Sequence, residues 1–223
     1  MYRVDLHTHS LDSPDGALSI THYRRMLDEK RLDCVAVTDH NTTDFALKLH
    51  AELGSRIIVG EEITTVDGEI IGLFLRRTIP AGLSLSETVQ AIKQQHGLVY
   101  VPHPFETVRK GLSLAALDTI ADEVDIIEIR NGRALVQNRA AQAEEWASEH
   151  DVPGAASSDS HGWHGWGRTY SLVANEPTRT TLTSLLDNAK YHHRLPGVRG
   201  VLYPKMNRLL KRTGLQKKHR HAA

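Results

Sequence analysis

The chain has 223 residues, 40% hydrophobic and 24% charged, a composition that excludes fibrous and highly charged disordered classes. No apolar run approaches the roughly 20 residues that cross a bilayer, and the opening MYRVDLHTHS has neither the basic nor the apolar region of a secretory leader. The lone Cys34, in the apolar run CVAV, leaves no intrachain disulfide partner and fits a buried, inert thiol in a reducing, cytoplasmic setting. The formal net charge of zero conceals an asymmetry. Residues 194–223 hold nine Lys or Arg and no acid, so residues 1–193 carry 18 bases against all 27 acids, a formal −9.

In chain order, short apolar and β-branched runs read as buried strands: YRVDL (2–6), CVAVT (34–38), RIIVGEEIT (56–64), LVYVPH (98–103), VDIIEIRN (124–131), PGAASSDSH (153–161) and TYSLVAN (169–175). Helix-like segments lie between them, at residues 19–31, 41–53, 84–97, 113–123, 134–150 and 178–190. Ser84 and Glu87 stand in capping-box spacing, and Gly97 closes that helix. The exception is 64–75, where Asp67-Gly68 between apolar runs reads as a hairpin. This alternation predicts parallel strands with helical crossovers, hence one α/β domain over residues 1–193 followed by a basic, partly helical extension over 194–223.

The polar residues fall in a pattern. His7 and His9 end the first strand, Asp39 and His40 the second, and Glu61 and Glu62 lie in the third. His103 ends the fourth, Glu128 and Asn131 mark the fifth, and Asp159 and His161 end the sixth. All sit at strand carboxyl ends, the rim on which α/β barrels and sheets build their sites. In an extended segment His7-x-His9 points both imidazoles to one side, and Asp159-x-His161 repeats that geometry. Glu61 then points away from Glu62. Imidazole and carboxylate without thiolate suit Zn²⁺, Mn²⁺ or Fe²⁺ in a hydrolytic site of more than one metal.

The motifs DLHTHS…SPDG, AVTDHN, IVGEEIT, VPHPF and SSDSH, in this order over residues 1–175, resemble the polymerase and histidinol phosphatase (PHP) family. The resemblance implies a distorted (β/α)7, TIM-like barrel with two or three divalent metals in a cleft at the strand carboxyl ends, and hydrolysis of phosphate esters by a metal-bridging hydroxide. By position, one metal takes His7, His9, Glu62 and Asp159. A second shares Glu62 and adds His103 and Glu69, where many relatives have histidine. A third takes Asp15, His40 and His161, Asp15 standing where some relatives place histidine. These two oxygen ligands favour Mn²⁺ or Fe²⁺ somewhat more than an all-imidazole set.

Asp15 and His161 are candidate proton donors to the leaving group, or ligands only. Arg168, Arg133 and Asn131 are candidate contacts to a substrate phosphate. Asp5 and Asp39 are candidates to orient imidazoles, Asp5 equally a plain strand-edge residue. Trp163 and Trp166 in GWHGWG either stack a nucleobase or cover the barrel rim. The expected substrate is a phosphorylated small metabolite, a nucleotide or an oligonucleotide end, cleaved as a monoester or diester. Two rivals stand beside this. One is an amidohydrolase-type metallohydrolase, which usually needs a bridging Lys that no middle strand end supplies here. The other is a non-catalytic nucleic-acid adaptor acting through the basic tail. Residues 200–223 suit a weak RNA or anionic-membrane contact, or a tail helix docked on the barrel with Leu202, Met206, Leu209 and Leu210 inward.

Overall fold

In strand β2 (Cys34–Val37) every side chain is buried, because the strand has two apolar faces. Cys34 and Ala36 belong to the interior cluster, while Val35 and Val37 belong to the layer under the helices. The structure, a computed structural model, describes residues 1–213 and repeats this two-faced burial around a nearly closed, barrel-shaped sheet. The other strands are β1 (Tyr2–Asp5), β3 (Ile57–Thr64), β4 (Glu69–Leu73), β5 (Leu98–Val101), β6 (Ile126–Asn131), β7 (Gly154–Ser157), β8 (Thr169–Val173) and β9 (Lys190–His193). Their order in the sheet is β7-β6-β5-β4-β3-β2-β1-β8-β9. The seam between β7 and β8 is drawn together by Ser171, whose Oγ accepts from the Ala156 N–H at 2.9 Å. Above it, the His9 N–H donates to the Ser160 carbonyl at 2.9 Å. The architecture is a mixed α/β, TIM-like barrel.

The helices are α1 (Ile20–Asp28), α2 (Asp44–Leu53), α3 (Leu85–Gln94), α4 (Leu114–Asp118), α5 (Ala140–Glu149), α6 (Leu182–Leu186) and α7 (Gly197–Arg212). The expected capping box forms at α3, with the Ser84 hydroxyl accepting from the Glu87 N–H and the Glu87 carboxylate accepting from Ser84. Helix α5 is shorter than the pattern suggests. Asn131 accepts from the Arg133 N–H and Asn138 from the Ala140 N–H, and these side-chain bonds replace a first helical turn. Leu182 and Leu186 of α6 join the barrel interior and close its lower end. Among the described residues, no helix is long and apolar enough to cross a membrane.

Two expectations need correction. The strand at 169–175 does not extend a parallel series, since β8 runs antiparallel to β1 and to β9. Only a short loop and β7 precede it, with no crossover helix to reverse the chain. The tail helix does form, as α7, but it packs the opposite face. Gly200, Pro204 and Asn207 are buried, whereas Leu202, Met206 and Leu209 are about half exposed or more. The inward face must serve carbonyl groups of the loops beneath it, and a leucine there would leave them without a donor. The rest of the basic tail, residues 214–223, lies outside the described residues.

The sheet also explains why two adjacent glutamates differ. Glu62 points into the barrel mouth. Glu61 points into the outer layer, accepts only the Ile79 N–H at 2.8 Å and leaves Oε1 unpartnered. Burial pushes its carboxyl up to about 7. The folded state therefore binds a proton that the unfolded chain has released, and this group lowers stability as pH rises from about 4.5 through 7. Glu61→Gln removes that penalty. Its thermal midpoint relative to the parent should rise between pH 5 and pH 8, by about 2–4 °C for each kcal/mol relieved. Parallel midpoints across that range would refute the assignment.

Candidate metal centre

Beyond β1 the chain stays extended through Thr8, which bridges to Ser160, so His7 and His9 point to the same side. The link between His40 and Glu62 brings the ends of β2 and β3 together, and the Glu62 N–H donates to the Asp39 carbonyl at 3.1 Å. Gly16 is required at the next step. A Cβ there would stand 2.1 Å from the Ser10 carbonyl, so only glycine lets this loop fold back and carry Asp15 to the cleft. His103 and Asp159 both hold positive φ, 28° and 51°, in the sparsely populated region that clusters at functional sites.

The resulting geometry converges on Glu62. Its carboxylate oxygens lie 3.1 Å from His103 Nε2, 3.2 Å from His40 Nδ1, 3.3 Å from His9 Nε2 and 3.5 Å from His7 Nε2. The Nε2 atoms of His7 and His9 face each other at 3.1 Å. Asp159 Oδ1 lies 3.3 Å from His161 Nδ1 and 3.5 Å from His9 Nε2, and Asp15 reaches His161 at 3.4 Å and His40 at 3.6 Å. Three groups have ligand atoms mutually within 4.8 Å: His9, Asp15, His40 and His161; His7, Glu62 and His103; and His7, His9 and Asp159.

Supporting residues fix the imidazoles. Glu128 Oε1 faces His7 Nδ1 at 3.3 Å, which suits a proton on Nδ1 and aims Nε2 into the cluster. Glu128 also accepts from the His103 N–H at 2.7 Å, from Asn131 at 2.8 Å and from the Tyr100 hydroxyl at 3.0 Å. Asp5 and Asp39 do not orient imidazoles. Asp5 accepts from the Ser158 N–H at 2.9 Å and Trp166 Nε1 at 3.0 Å, and Asp39 accepts from the Ser10 N–H and hydroxyl, so both tie loop backbone to the barrel.

The electrostatics are divided. Burial opposes charge on His7, yet Asp159, Glu62 and Glu128 hold it well above the ordinary histidine range. Burial likewise opposes charge on His40, which Glu62 and Asp15 raise to about 9. Burial and the neighbouring His161 push His9 down to about 3, and burial and Arg133 lower His161. Against their own burial, Glu62 is lowered by His40 and His7, Asp15 by His161 and His40, and Asp159 by Arg133 and His7. Burial and Glu62 raise Glu69 to about 7.

The residues fit divalent metal. The donor set is imidazole and carboxylate, the nitrogens of His7 and His9 converge with no polar group between them, and His103 Nδ1 is buried without a partner. Eight of the nine expected ligands fall in the three groups; Glu69 stands apart at the cleft edge, 3.9 Å from His40 Nδ1. Arg133 lies 3.2 Å from Asp159, and Asn131 bonds Glu128. Arg168 is exposed, donates to the Leu195 carbonyl at 3.3 Å and does not line the cleft, because β8 carries it away from the rim. Trp166 is fully buried and Trp163 packs against His22, Arg25 and Arg31, so both cover the barrel rather than offer a base-stacking surface.

Two arginines had no signal in the pattern. Arg109 Nη1 lies 2.7 Å from Asp159 Oδ2, and Arg208 Nη2 lies 2.6 Å from Asp15 Oδ2. The first sits in a loop without periodicity, and the second comes from a helix 193 residues away in sequence.

No family model matches the chain. It is 36% identical over 151 residues to the uncharacterized protein MJ1587 of Methanocaldococcus jannaschii, a match covering 62% of this chain and 88% of that protein. Among solved structures it is similar to a two-domain Bacteroides vulgatus protein containing a predicted PHP-like metal-dependent phosphoesterase, with TM-score 0.68, 19% identity, and 93% of this chain and 69% of that chain covered. It is also similar to a Chromobacterium violaceum amidohydrolase, with TM-score 0.58, 17% identity, and 71% and 87% covered. At these identities the likeness shows the barrel fold.

Metal should bind the folded state selectively. Adding Mn²⁺ or Zn²⁺ to chelator-stripped protein at about 100 times Kd should stabilise it by about 2.7 kcal/mol, roughly 5–10 °C in thermal midpoint for this size. Glu62→Gln should lose most of that shift. A parent midpoint indifferent to metal would refute the site.

Proposed function

The chain belongs to the family of the Methanocaldococcus jannaschii protein MJ1587, and we propose that it is a metal-dependent phosphoesterase of the PHP type. One observation carries the reading: three ligand groups share residues around Glu62 at the floor of a cleft of about 750 Å³ whose walls bring Arg109, Arg133 and Arg208 over them. His7, His9, Asp159, Glu62, His103, Asp15, His40 and His161 would hold two or three divalent cations, with Glu69 at the edge. Bound there, such cations supply Lewis acidity and a water ionised near neutral pH.

The chain's own residues supply the rest. Arg109 and Arg133 converge on Asp159. Arg109 is also held by Glu106 and Asn131 and so fixes Asp159, while Arg133, with Nε unmatched, is the candidate donor to a phosphoryl oxygen. Among the described lining residues Thr64 is the one hydroxyl and there is no thiol. Cys34 is buried with its thiol pushed up to about 12. Direct attack by water therefore suits the site better than a covalent intermediate. Against its burial, Asp15 is held low by His161 and His40, and burial with Arg133 lowers His161, so both suit metal ligation better than proton donation. The ester is a phosphorylated metabolite, a nucleotide or an oligonucleotide end. A carboxylate, Glu62, occupies the centre where an amidohydrolase of the expected type carries lysine, which favours phosphoester over amide.

The test is a panel of aryl phosphate monoesters and diesters, with amides and lactones beside them, on protein loaded with Mn²⁺, Fe²⁺ or Zn²⁺. Phosphoester hydrolysis lost on chelation is expected. Arg109→Ala should lower kcat/KM by about 10–100-fold, and Asp15→Ala should reduce activity or metal content without loss of fold. Arg168→Ala should stay within about threefold of the parent. Turnover of amides or lactones alone would replace this reading with the amidohydrolase one.

A further inference from the structure

The cleft is more cationic than one phosphoryl group requires. Its lining carries seven basic side chains against four acidic ones, and all four acids are candidate metal ligands. A single phosphate monoester brings at most two negative charges. The volume of about 750 Å³ also exceeds what one phosphoryl group fills.

Most of that excess comes from α7, and α7 is built into the site. Asn207 is buried, and its Nδ2 donates to the Asp15 carbonyl at 2.7 Å and the His161 carbonyl at 3.0 Å. Both are carbonyls of candidate ligands. Lys211 donates to the Leu11 carbonyl at 2.8 Å and also to that of Ser13. Gly162, next to His161, accepts the Tyr203 ring so closely that a Cβ would stand 2.6 Å from it. These contacts fix the rotation of the helix. They send Lys205, Arg208 and Arg212 to the cleft, while Leu202, Met206 and Leu209 face out. Lys110, on the loop after β5, lines the same cleft and acts electrostatically on Glu69.

We propose that Lys205, Arg208 and Arg212 of α7, with Lys110, form a second anion subsite, so that the preferred substrate carries a further phosphoryl group on the part released by hydrolysis. The proposal rests on the phosphoesterase reading. Arg109 and Arg133 lie on Asp159, deep in the cleft, where the phosphoesterase reading puts the reacting phosphoryl group. Arg208 touches Asp15 and stands between the two regions. The exposed side chains Lys205, Arg212 and Lys110 form the outer cationic edge. A second phosphoryl group matches that edge whether it is the terminal phosphate of a bisphosphorylated metabolite or the next phosphate of an oligonucleotide.

Calorimetry on the metal-loaded protein with methylphosphonate and methylenebisphosphonate reads the subsite without turnover. The double variant Lys205→Ala/Arg212→Ala should weaken the bisphosphonate roughly tenfold or more, the loss of one or two charge-assisted contacts, and leave methylphosphonate within about threefold. Lys110→Ala, which leaves α7 untouched, should act in the same direction. Kinetics then separate the sources, since KM should rise with kcat kept on either a bisphosphorylated sugar or a 5′-phosphorylated dinucleotide. Equal losses on both phosphonates, or none, overturn the subsite. Hydrolysis without this discrimination sinks the subsite alone. Discrimination without hydrolysis of any phosphoester keeps the anion site and sinks the enzymatic reading.

Discussion

One buried carboxylate facing four imidazoles is the constraint on which the rest of the site depends. Glu62 cannot satisfy His7, His9, His40 and His103 at once, because it carries one negative charge and three of the four, His7, His9 and His40, crowd its Oε2 while His103 alone faces Oε1. Without a cation the conflict is met by splitting the histidines. Against burial, surrounding carboxylates raise His7 and His40, while burial and His161 lower His9, and burial and Arg133 lower His161. Such a cluster is expensive to bury, since each charge loses its hydration and each lone pair faces another. Positive charge at the centre relieves all these costs together. The positive φ at His103 and Asp159 belongs to the same logic, as backbone strain is retained where it aims a ligand.

The barrel supplies the rigidity that this convergence needs. Parallel strands β1–β2–β3 and β5–β6–β7 deliver their carboxyl ends to one rim, and strand alternation turns every second side chain inward. Between the two sets, antiparallel β4 is the return limb of a hairpin, with Thr64 paired to Glu69. That pairing explains why Glu69 starts its strand at the cleft edge and not among the central ligands. Asp5 and Asp39 then act one layer below. Both are buried carboxylates raised by that burial, to about 6 and about 7, and each spends its hydrogen bonds on the backbone and hydroxyl of a ligand-bearing loop.

The convergence of the candidate ligands on one rim was legible in the sequence for a physical reason. A histidine or carboxylate at the end of an apolar run breaks local hydrophobic patterning, and seven such candidate ligands on one rim have no packing explanation, whereas Asp15 and Glu69 came only with the family resemblance. The separation of Glu61 from Glu62 followed from alternation alone. What tertiary packing decides was not legible. Asp5 lies beside the ligands in sequence, but its partners are Ser158 and Trp166, more than 150 residues away. Arg168 follows the last ligand pair closely, yet antiparallel β8 takes it out of the cleft, while Arg208 arrives from a helix whose composition suggested the opposite face inward. The apolar residues of α7 misled because the carbonyls beneath the helix require a donor, and Asn207 meets that need where no leucine would.

Asp159 shows how ligand and substrate functions are coupled in one residue. Its two oxygens serve Arg109, Arg133, His161 and the His7–His9 pair. These claims cannot all be met with good geometry, and Arg133 Nε is left buried without a partner. Arg109 spends Nε and Nη2 on Glu106 and Nη1 on Asn131 and Asp159, so the unmet donor belongs to Arg133. That donor needs an acceptor that the chain does not provide, and a phosphoryl group, with several oxygens on one centre, has the matching valence. The same counting applies farther out, where α7 adds bases and no acids to the rim. The acceptor deficit thus grows from the floor of the cleft to its edge, and it gives the substrate's charge a direction.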